Sequence, residues 1–185
     1  MRIVGGRLRG RNLLAPTSNA TRPTSDRLRE ALFNVLAHAY DDVANGARVL
    51  DLFAGTGALG IEAISRGAKF ALFVEDAAEP RGLIRGNVEA LGLGGITRIF
   101  RRDATKLGPT VAGETYDLVF CDPPYGRGFA EIALEGALKG NWLAPGALVI
   151  VEEAVESAFA APAGFEVLER RRYDKTEAVF LHAPG

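Results

Sequence analysis

The chain has little of what secreted, metal-bound or membrane proteins use. Its 185 residues include one cysteine, one methionine, one tryptophan and two histidines. A lone Cys121 excludes an internal disulfide and fits a reducing compartment. His38 and His182 have no partners at ligand spacing, so no metal site is expected. No run approaches the ~18 apolar residues that span a bilayer, and Met1-Arg2-Ile3-Val4-Gly5-Gly6-Arg7 lacks the apolar stretch of a signal peptide. The expectation is a cytoplasmic protein without membrane contact. Lysine is scarce as well: arginine outnumbers it 18 to 4. That bias suits bidentate contacts to phosphate, although genome composition also produces it.

What is present is globular. With 48% apolar and 24% charged residues, neither a fibre nor a disordered chain fits. The length suits one domain with its own core, and a monomer is the default. The net charge of −1 hides an asymmetry. Residues 1–36 carry seven arginines (Arg2, Arg7, Arg9, Arg11, Arg22, Arg27, Arg29) against Asp26 and Glu30, a net of +5; the remaining 15 basic and 21 acidic groups give −6. A basic arm on an acidic body suggests nucleic-acid contact, and a solvated surface is the bland alternative.

Periodicity sketches the organisation. Arg2–Val4, a Gly5-Gly6 turn and Arg7–Leu14 predict a small hairpin. On such a strand Arg7, Arg9 and Arg11 share a face at about 6.5–7 Å spacing, near that of backbone phosphates. Thr24 or Ser25 caps a predicted helix to Ala39, with an apolar stripe of Leu28, Ala31, Leu32, Val35, Leu36 and Ala39. Predicted strands cover Arg48–Phe53, Phe70–Glu75, Thr97–Arg102, Tyr116–Cys121, Ala147–Glu152, Phe165–Arg172 and Glu177–His182. Helices cover Ala58–Arg66, Ala77–Leu91 and Phe129–Lys139. Apolar strands alternating with helices imply buried parallel strands, with the last two forming an antiparallel hairpin.

The chemistry gathers at strand ends. Asp51-Leu52-Phe53-Ala54-Gly55-Thr56-Gly57 follows an apolar strand and opens a helix, the context in which a glycine turn means nucleotide binding. Asp51 repels a pyrophosphate and attracts a cation, which disfavours NAD and favours an amino-acid-bearing cofactor such as S-adenosylmethionine. Glu75 lies 18 residues past Gly57, near the offset of a ribose-binding acid. Asp103 ends the third strand, where it is able to accept from an adenine amino group. Each acid alone is most simply a surface carboxylate; three at the carboxyl edge of one sheet are not.

The fourth strand runs into Asp122-Pro123-Pro124-Tyr125. The prolines stiffen the turn and leave carbonyls free. Asp122 and the Pro123 carbonyl are then two acceptors for the two hydrogens of an exocyclic amino group, and Tyr125 offers a ring for stacking a base. Cys121 reads as strand packing and Trp142 as a core cap.

Asp51–Gly57 resembles motif I of class I S-adenosylmethionine-dependent methyltransferases, and Asp122–Tyr125 their amino-methylating motif IV. With Arg2-Ile3-Val4-Gly5-Gly6, Gly10-Arg11 and Arg22-Pro23-Thr24-Ser25-Asp26-Arg27-Leu28-Arg29-Glu30-Ala31-Leu32-Phe33-Asn34, the whole chain resembles the RsmD family, bacterial 16S ribosomal RNA guanine-N2 methyltransferases. Tyr125 stands where that family often has Phe, and stacking survives the change.

The resemblance implies a Rossmann-like, seven-stranded, mostly parallel sheet with an antiparallel last strand, preceded by an N-terminal hairpin and helix. Residues 1–23 would be a basic arm and 24–185 one compact methyltransferase unit. It implies Asp51, Phe53, Gly55 and Gly57 around the methionine part of the cofactor, Glu75 on ribose, and Asp103 with Ala104 on adenine. Thr24 would fold over the cofactor carboxylate, and Arg22 would pair with it. Asp122, Pro123, Pro124 and Tyr125 would be catalytic, and Arg2, Arg7, Arg9 and Arg11 would face 16S rRNA in the small ribosomal subunit. Two other readings stay open: an adenine-N6 methyltransferase, which the length leaves without a target-recognition domain, and a non-catalytic RNA-binding assembly factor.

Overall fold

The computed structural model describes residues 1–17 and 25–185; Arg22 and Thr24 lie outside the described residues. Its elements are α1 (Asp26–Ala39), β1 (Arg48–Leu52), α2 (Ala58–Ser65), β2 (Phe70–Val74), α3 (Ala78–Ala90), β3 (Thr97–Phe100), β4 (Tyr116–Cys121), α4 (Phe129–Lys139), β5 (Leu143–Ala154), β6 (Glu166–Tyr173) and β7 (Thr176–His182). The strands form one sheet in the order β3-β2-β1-β4-β5-β7-β6. Pairings from β3 to β5 are parallel; β7 runs antiparallel to both β5 and β6. The mixed sheet matches the fold expected from the alternating pattern.

The central strands are apolar on both faces, because helices cover both. Val49, Phe73, Phe120 and Ile150 face one core with Phe33, Leu36, Ile61 and Ile84 from α1, α2 and α3. Leu50, Leu52, Val119 and Val151 face a second core closed by Ala130, Ala133, Leu134 and Ala137 of α4. Small residues on α4 let it lie close against the sheet. Trp142 seals this second core: buried, it stacks on Phe100 and Tyr116 and donates Nε1–H to the Gly108 carbonyl. Cys121 is buried, and burial pushes its thiol well above its ordinary value, with the Asp122 carboxylate adding to the effect. Among the described residues, no helix is long and apolar enough to cross a membrane.

Two expectations are corrected. The segment Arg7–Leu14 is not a strand; the only pairing there is an isolated antiparallel bridge between Arg2 and Asn12. Antiparallel hydrogen bonds do join the two ends, from the Ile3 N–H to the Arg11 carbonyl, the Gly10 N–H to the Ile3 carbonyl and the Leu13 N–H to the Met1 carbonyl, but the stretch between them is fastened to the far end of α2. Ser65 takes the Arg7 and Leu8 N–H groups on its carbonyl and Oγ, and Glu62 takes those of Val4 and Gly5. Gly6 is required at this contact, since a Cβ there would lie 2.0 Å from the Ser65 carbonyl oxygen. Ile3, Leu8 and Leu13 consequently join the first core. Arg7, Arg9 and Arg11 are exposed, but they do not form a strand face.

The second correction concerns α1, capped by Ser25, whose Oγ accepts from the Leu28 N–H. Its fully buried side chains are Leu32, Phe33, Leu36 and Arg29. Arg29, counted in the basic arm, has no exposure at all. It donates to Glu62, itself fully buried, at 3.2 Å and to Asp26 at 2.8 Å. A third bond goes to the Arg2 carbonyl.

Candidate active site

The order β3-β2-β1-β4 brings four acids along one sheet edge. Asp51 is the penultimate residue of β1; Glu75 and Asp122 directly follow β2 and β4, and Asp103 lies three residues past β3. The strand order reverses between β1 and β4, and open α/β sheets bind ligands in the crevice at such a switch point. The glycine turn and the Asp122–Tyr125 turn leave the sheet on its two sides.

The glycine turn is built by backbone conformations that side chains rarely adopt. Gly55 and Gly57 have φ of 60° and 79°, and Phe53 is itself at 56°. A non-glycine residue in that region is held there by its surroundings; here the Phe53 ring stacks on Phe129 with centroids 6.3 Å apart. Glu75 secures the turn with both oxygens, one accepting the Gly55 N–H at 2.8 Å and the other the Ala77 N–H at 3.0 Å. Each oxygen keeps a lone pair for a ligand hydroxyl.

Asp51 is almost wholly buried and accepts one hydrogen bond, from the Gly60 N–H at 3.1 Å. Burial raises its carboxyl well above the ordinary value; the Gly60 bond opposes this, and the Asp122 and Glu75 carboxylates reinforce it. A cation in the crevice would offset that repulsion, whereas an anion would add to it. Gly60 is required beside this group. An added Cβ would lie 2.5 Å from the Phe73 ring and 3.2 Å from Asp51 Oδ2. Gly60→Ala is therefore expected to push the carboxylate out of place and to weaken binding of S-adenosylmethionine about tenfold, a loss of about 1.4 kcal/mol. Isothermal titration of the purified variant measures it.

Asp103 caps a single 3₁₀ turn, its Oδ1 accepting from the Thr105 N–H and hydroxyl. Those two bonds hold its carboxyl below the usual value despite partial burial. Ala104 is buried beneath it. Across the crevice Pro123 is buried and Pro124 exposed. The Tyr125 hydroxyl lies 3.1 Å from Thr176 Oγ1 at the start of β7. Arg2 and Arg9 line one cleft with Arg27, while Arg7 and Arg11 are not among its lining residues. Arg11 gives its guanidinium to the Ala90 carbonyl at the end of α3.

Three supporting residues escaped the sequence reading. Glu153 is buried at the end of β5, and its Oε1 accepts from the N–H groups of Gly126 and Ala154 and from the Ser157 hydroxyl, fastening the far end of the Asp122–Tyr125 turn. It had the same signal as the other acids, a carboxylate at a strand's carboxyl end. Thr176 holds Tyr125, and Asn87 links the arm to the glycine turn by accepting from the Leu14 N–H and donating to the Thr56 carbonyl. Neither carries a local signal, because each acts on residues distant in sequence.

A doubly wound sheet of this order, with a glycine turn after its first strand and acids along the carboxyl edge, is the Rossmann-like methyltransferase fold. The structure of yhhF from Escherichia coli superposes with a TM-score of 0.85 at 34% identity, covering all of this chain and 98% of that one. The chain belongs to the family described as conserved hypothetical protein 95, whose model matches residues 1–182. It is 42% identical over 158 residues to ribosomal RNA small subunit methyltransferase D of Escherichia coli, covering 85% of this chain and 76% of that protein. The protein of the same name from Haemophilus influenzae is 33% identical over 173 residues, covering 92% of this chain and 88% of its own length. The family is the one that Asp51–Gly57, Asp122–Tyr125 and the N-terminal block resemble.

Proposed function

We propose that the protein transfers a methyl group from S-adenosylmethionine to the exocyclic N2 of a guanine in 16S rRNA of the small ribosomal subunit. The observation that carries the reading is the pairing of two turns on adjacent strands: the glycine turn after β1 beside buried Asp51, and Asp122-Pro123-Pro124-Tyr125 after β4. Asp51, Glu75 and Asp122 are close enough for their carboxylates to repel one another, and a cationic cofactor beside them would relieve that repulsion. The cofactor supplies an activated methyl on a sulfonium that leaves neutral.

The remaining work belongs to the chain. Glu75 meets ribose hydroxyls, and Asp103 with Ala104 meets the adenine. Asp122 and the Pro123 carbonyl accept the two amino hydrogens of the base, drawing the nitrogen lone pair toward the methyl. The Tyr125 ring, steadied by Thr176, stacks the guanine after it leaves its own stack, which is cheaper in a loop than in a duplex. The amino proton then passes to Asp122 or water. No strong base is needed, and catalysis is mainly positioning. Arg2, Arg7 and Arg9, exposed on the N-terminal segment, contact the RNA backbone, as does whatever part of Arg11 remains free.

The test uses labelled cofactor with small subunits from a strain lacking this methylation, with deproteinised 16S rRNA and with DNA. The modified base is then identified by mass spectrometry. Label on guanine N2 is expected; label on adenine or on DNA overturns the substrate, and no label favours an assembly factor.

A further inference from the structure

Most arginines with a described contact spend their guanidinium on this chain. Arg29 is paired with Glu62 and Asp26, Arg66 with Glu62, Arg98 with Glu114 and Arg170 with Glu177, while Arg11 gives one hydrogen bond to the Ala90 carbonyl. Arg2, Arg9 and Arg27 differ. All three are exposed, and none makes a side-chain hydrogen bond or ion pair among the described residues. Yet they line a single cleft of about 480 Å³, with Arg2 and Arg9 on the N-terminal segment and Arg27 on α1.

The cleft is preformed. The Ile3 N–H donates to the Arg11 carbonyl and the Gly10 N–H to the Ile3 carbonyl, which fixes Arg2 and Arg9 relative to each other. Arg29 bonds the Arg2 carbonyl from within α1, tying the two walls together. Two acids line the same cleft, Asp26 and Glu30. Asp26 is already occupied by Arg29 and by the Arg2 N–H. Among the described residues lining the cleft, Glu30 is then the one acid left to oppose the three cations.

We propose that the Arg2–Arg9–Arg27 cleft seats a backbone phosphate of the RNA substrate, as a docking site separate from the methyl-transfer crevice. The site rests on the rRNA methyltransferase reading and deepens it. Guanidiniums approaching from two walls suit the tetrahedral oxygens of a phosphate diester, and their fixed backbone lowers the ordering cost of binding. Such a contact carries no sequence information; it sets the register in which a guanine reaches Asp122. Glu30 weakens the site, which makes its removal a test of opposite sign.

The experiment measures KM for undermethylated small subunits and Kd for deproteinised 16S rRNA across salt concentrations. Arg9→Ala and Arg27→Ala are each expected to raise both constants about five- to tenfold and to reduce the slope of log Kd against log salt by about 1, with kcat at saturating subunits unchanged. Glu30→Gln is expected to lower Kd. Unchanged Kd and salt slope in the arginine variants, or weaker binding by Glu30→Gln, overturns the site while the methyltransferase reading stands. Failure of the wild-type protein to bind or methylate rRNA overturns that parent reading and the site with it.

Discussion

Asp122→Ala is expected to lower kcat for methyl transfer by about 10²–10³-fold, the scale on which removal of one preorganised polar group from a reacting centre is felt. In the proposed reaction the carboxylate is one of two acceptors for the amino hydrogens, so its loss would leave the nitrogen planar and its lone pair delocalised into the base. Binding of S-adenosylmethionine should change at most a few-fold, because Gly55, Gly57, Glu75 and Asp51 remain in place. Asp122→Asn, which keeps one acceptor and adds a donor, should fall between the two. Single-turnover methylation alongside calorimetric cofactor titration separates the effects. Near wild-type turnover in the alanine variant would remove Asp122 from the mechanism.

The largest effect on stability is expected at Arg29→Met. Arg29 and Glu62 are both fully buried, and Glu62 also accepts the Val4 and Gly5 N–H groups and an ion pair from Arg66. Removing Arg29 leaves buried Glu62 with Arg66 as its one remaining cation and breaks the bonds to Asp26 and the Arg2 carbonyl, a cost expected at the lower end for a broken buried pair, about 3 kcal/mol. For a chain of this length that corresponds to a fall in Tm of roughly 10 °C, readable by circular dichroism. The double variant Arg29→Met with Glu62→Gln leaves no uncompensated buried charge and should recover part of the loss. A drop within about 1 °C in the single variant would contradict the buried-pair account.

The N-terminal segment depends on this pair for its position, so the two predictions meet in function. Glu62 lies on α2, the helix opened by the Gly55–Gly57 turn. The same helix therefore follows the glycine turn at its start and anchors the arginine-bearing segment near its end.

How much of this was legible depended on the range of the interaction. The central strands were readable because burial on both faces leaves apolar runs such as Leu118–Cys121, and the helix read over Phe129–Lys139 has the ends observed for α4. The acids Asp51, Glu75, Asp103 and Asp122 were readable because an α/β fold puts strand ends at the ligand edge whatever the loops do. The N-terminal hairpin was read only in part: its two ends bond antiparallel about Arg2 and Asn12, but Arg7–Leu14 is not a strand. A Gly-Gly pair between extended segments is a genuine turn signal, but Ser65 and Glu62, about 60 residues away, bind the backbone of Val4, Gly5, Arg7 and Leu8, so the chain between the paired ends is a loop docked on α2 rather than a strand. Arg29 was misread for a related reason: its charge counts toward the arm in any sum over residues, while its place on the buried face of α1 is set by a carboxylate on another helix.

By itself the sequence determined the class of fold and the acids and turns gathered along one edge of its sheet. These follow from local periodicity and from the spacing of glycines, prolines and carboxylates within single βα units. Only the tertiary structure decided which arginines remain available to a polyanion. Whether a guanidinium is free turns on the hydrogen-bond partner beside it, and for Arg29, Arg11, Arg9 and Arg27 that partner, or its absence, comes from packing between segments far apart in the chain.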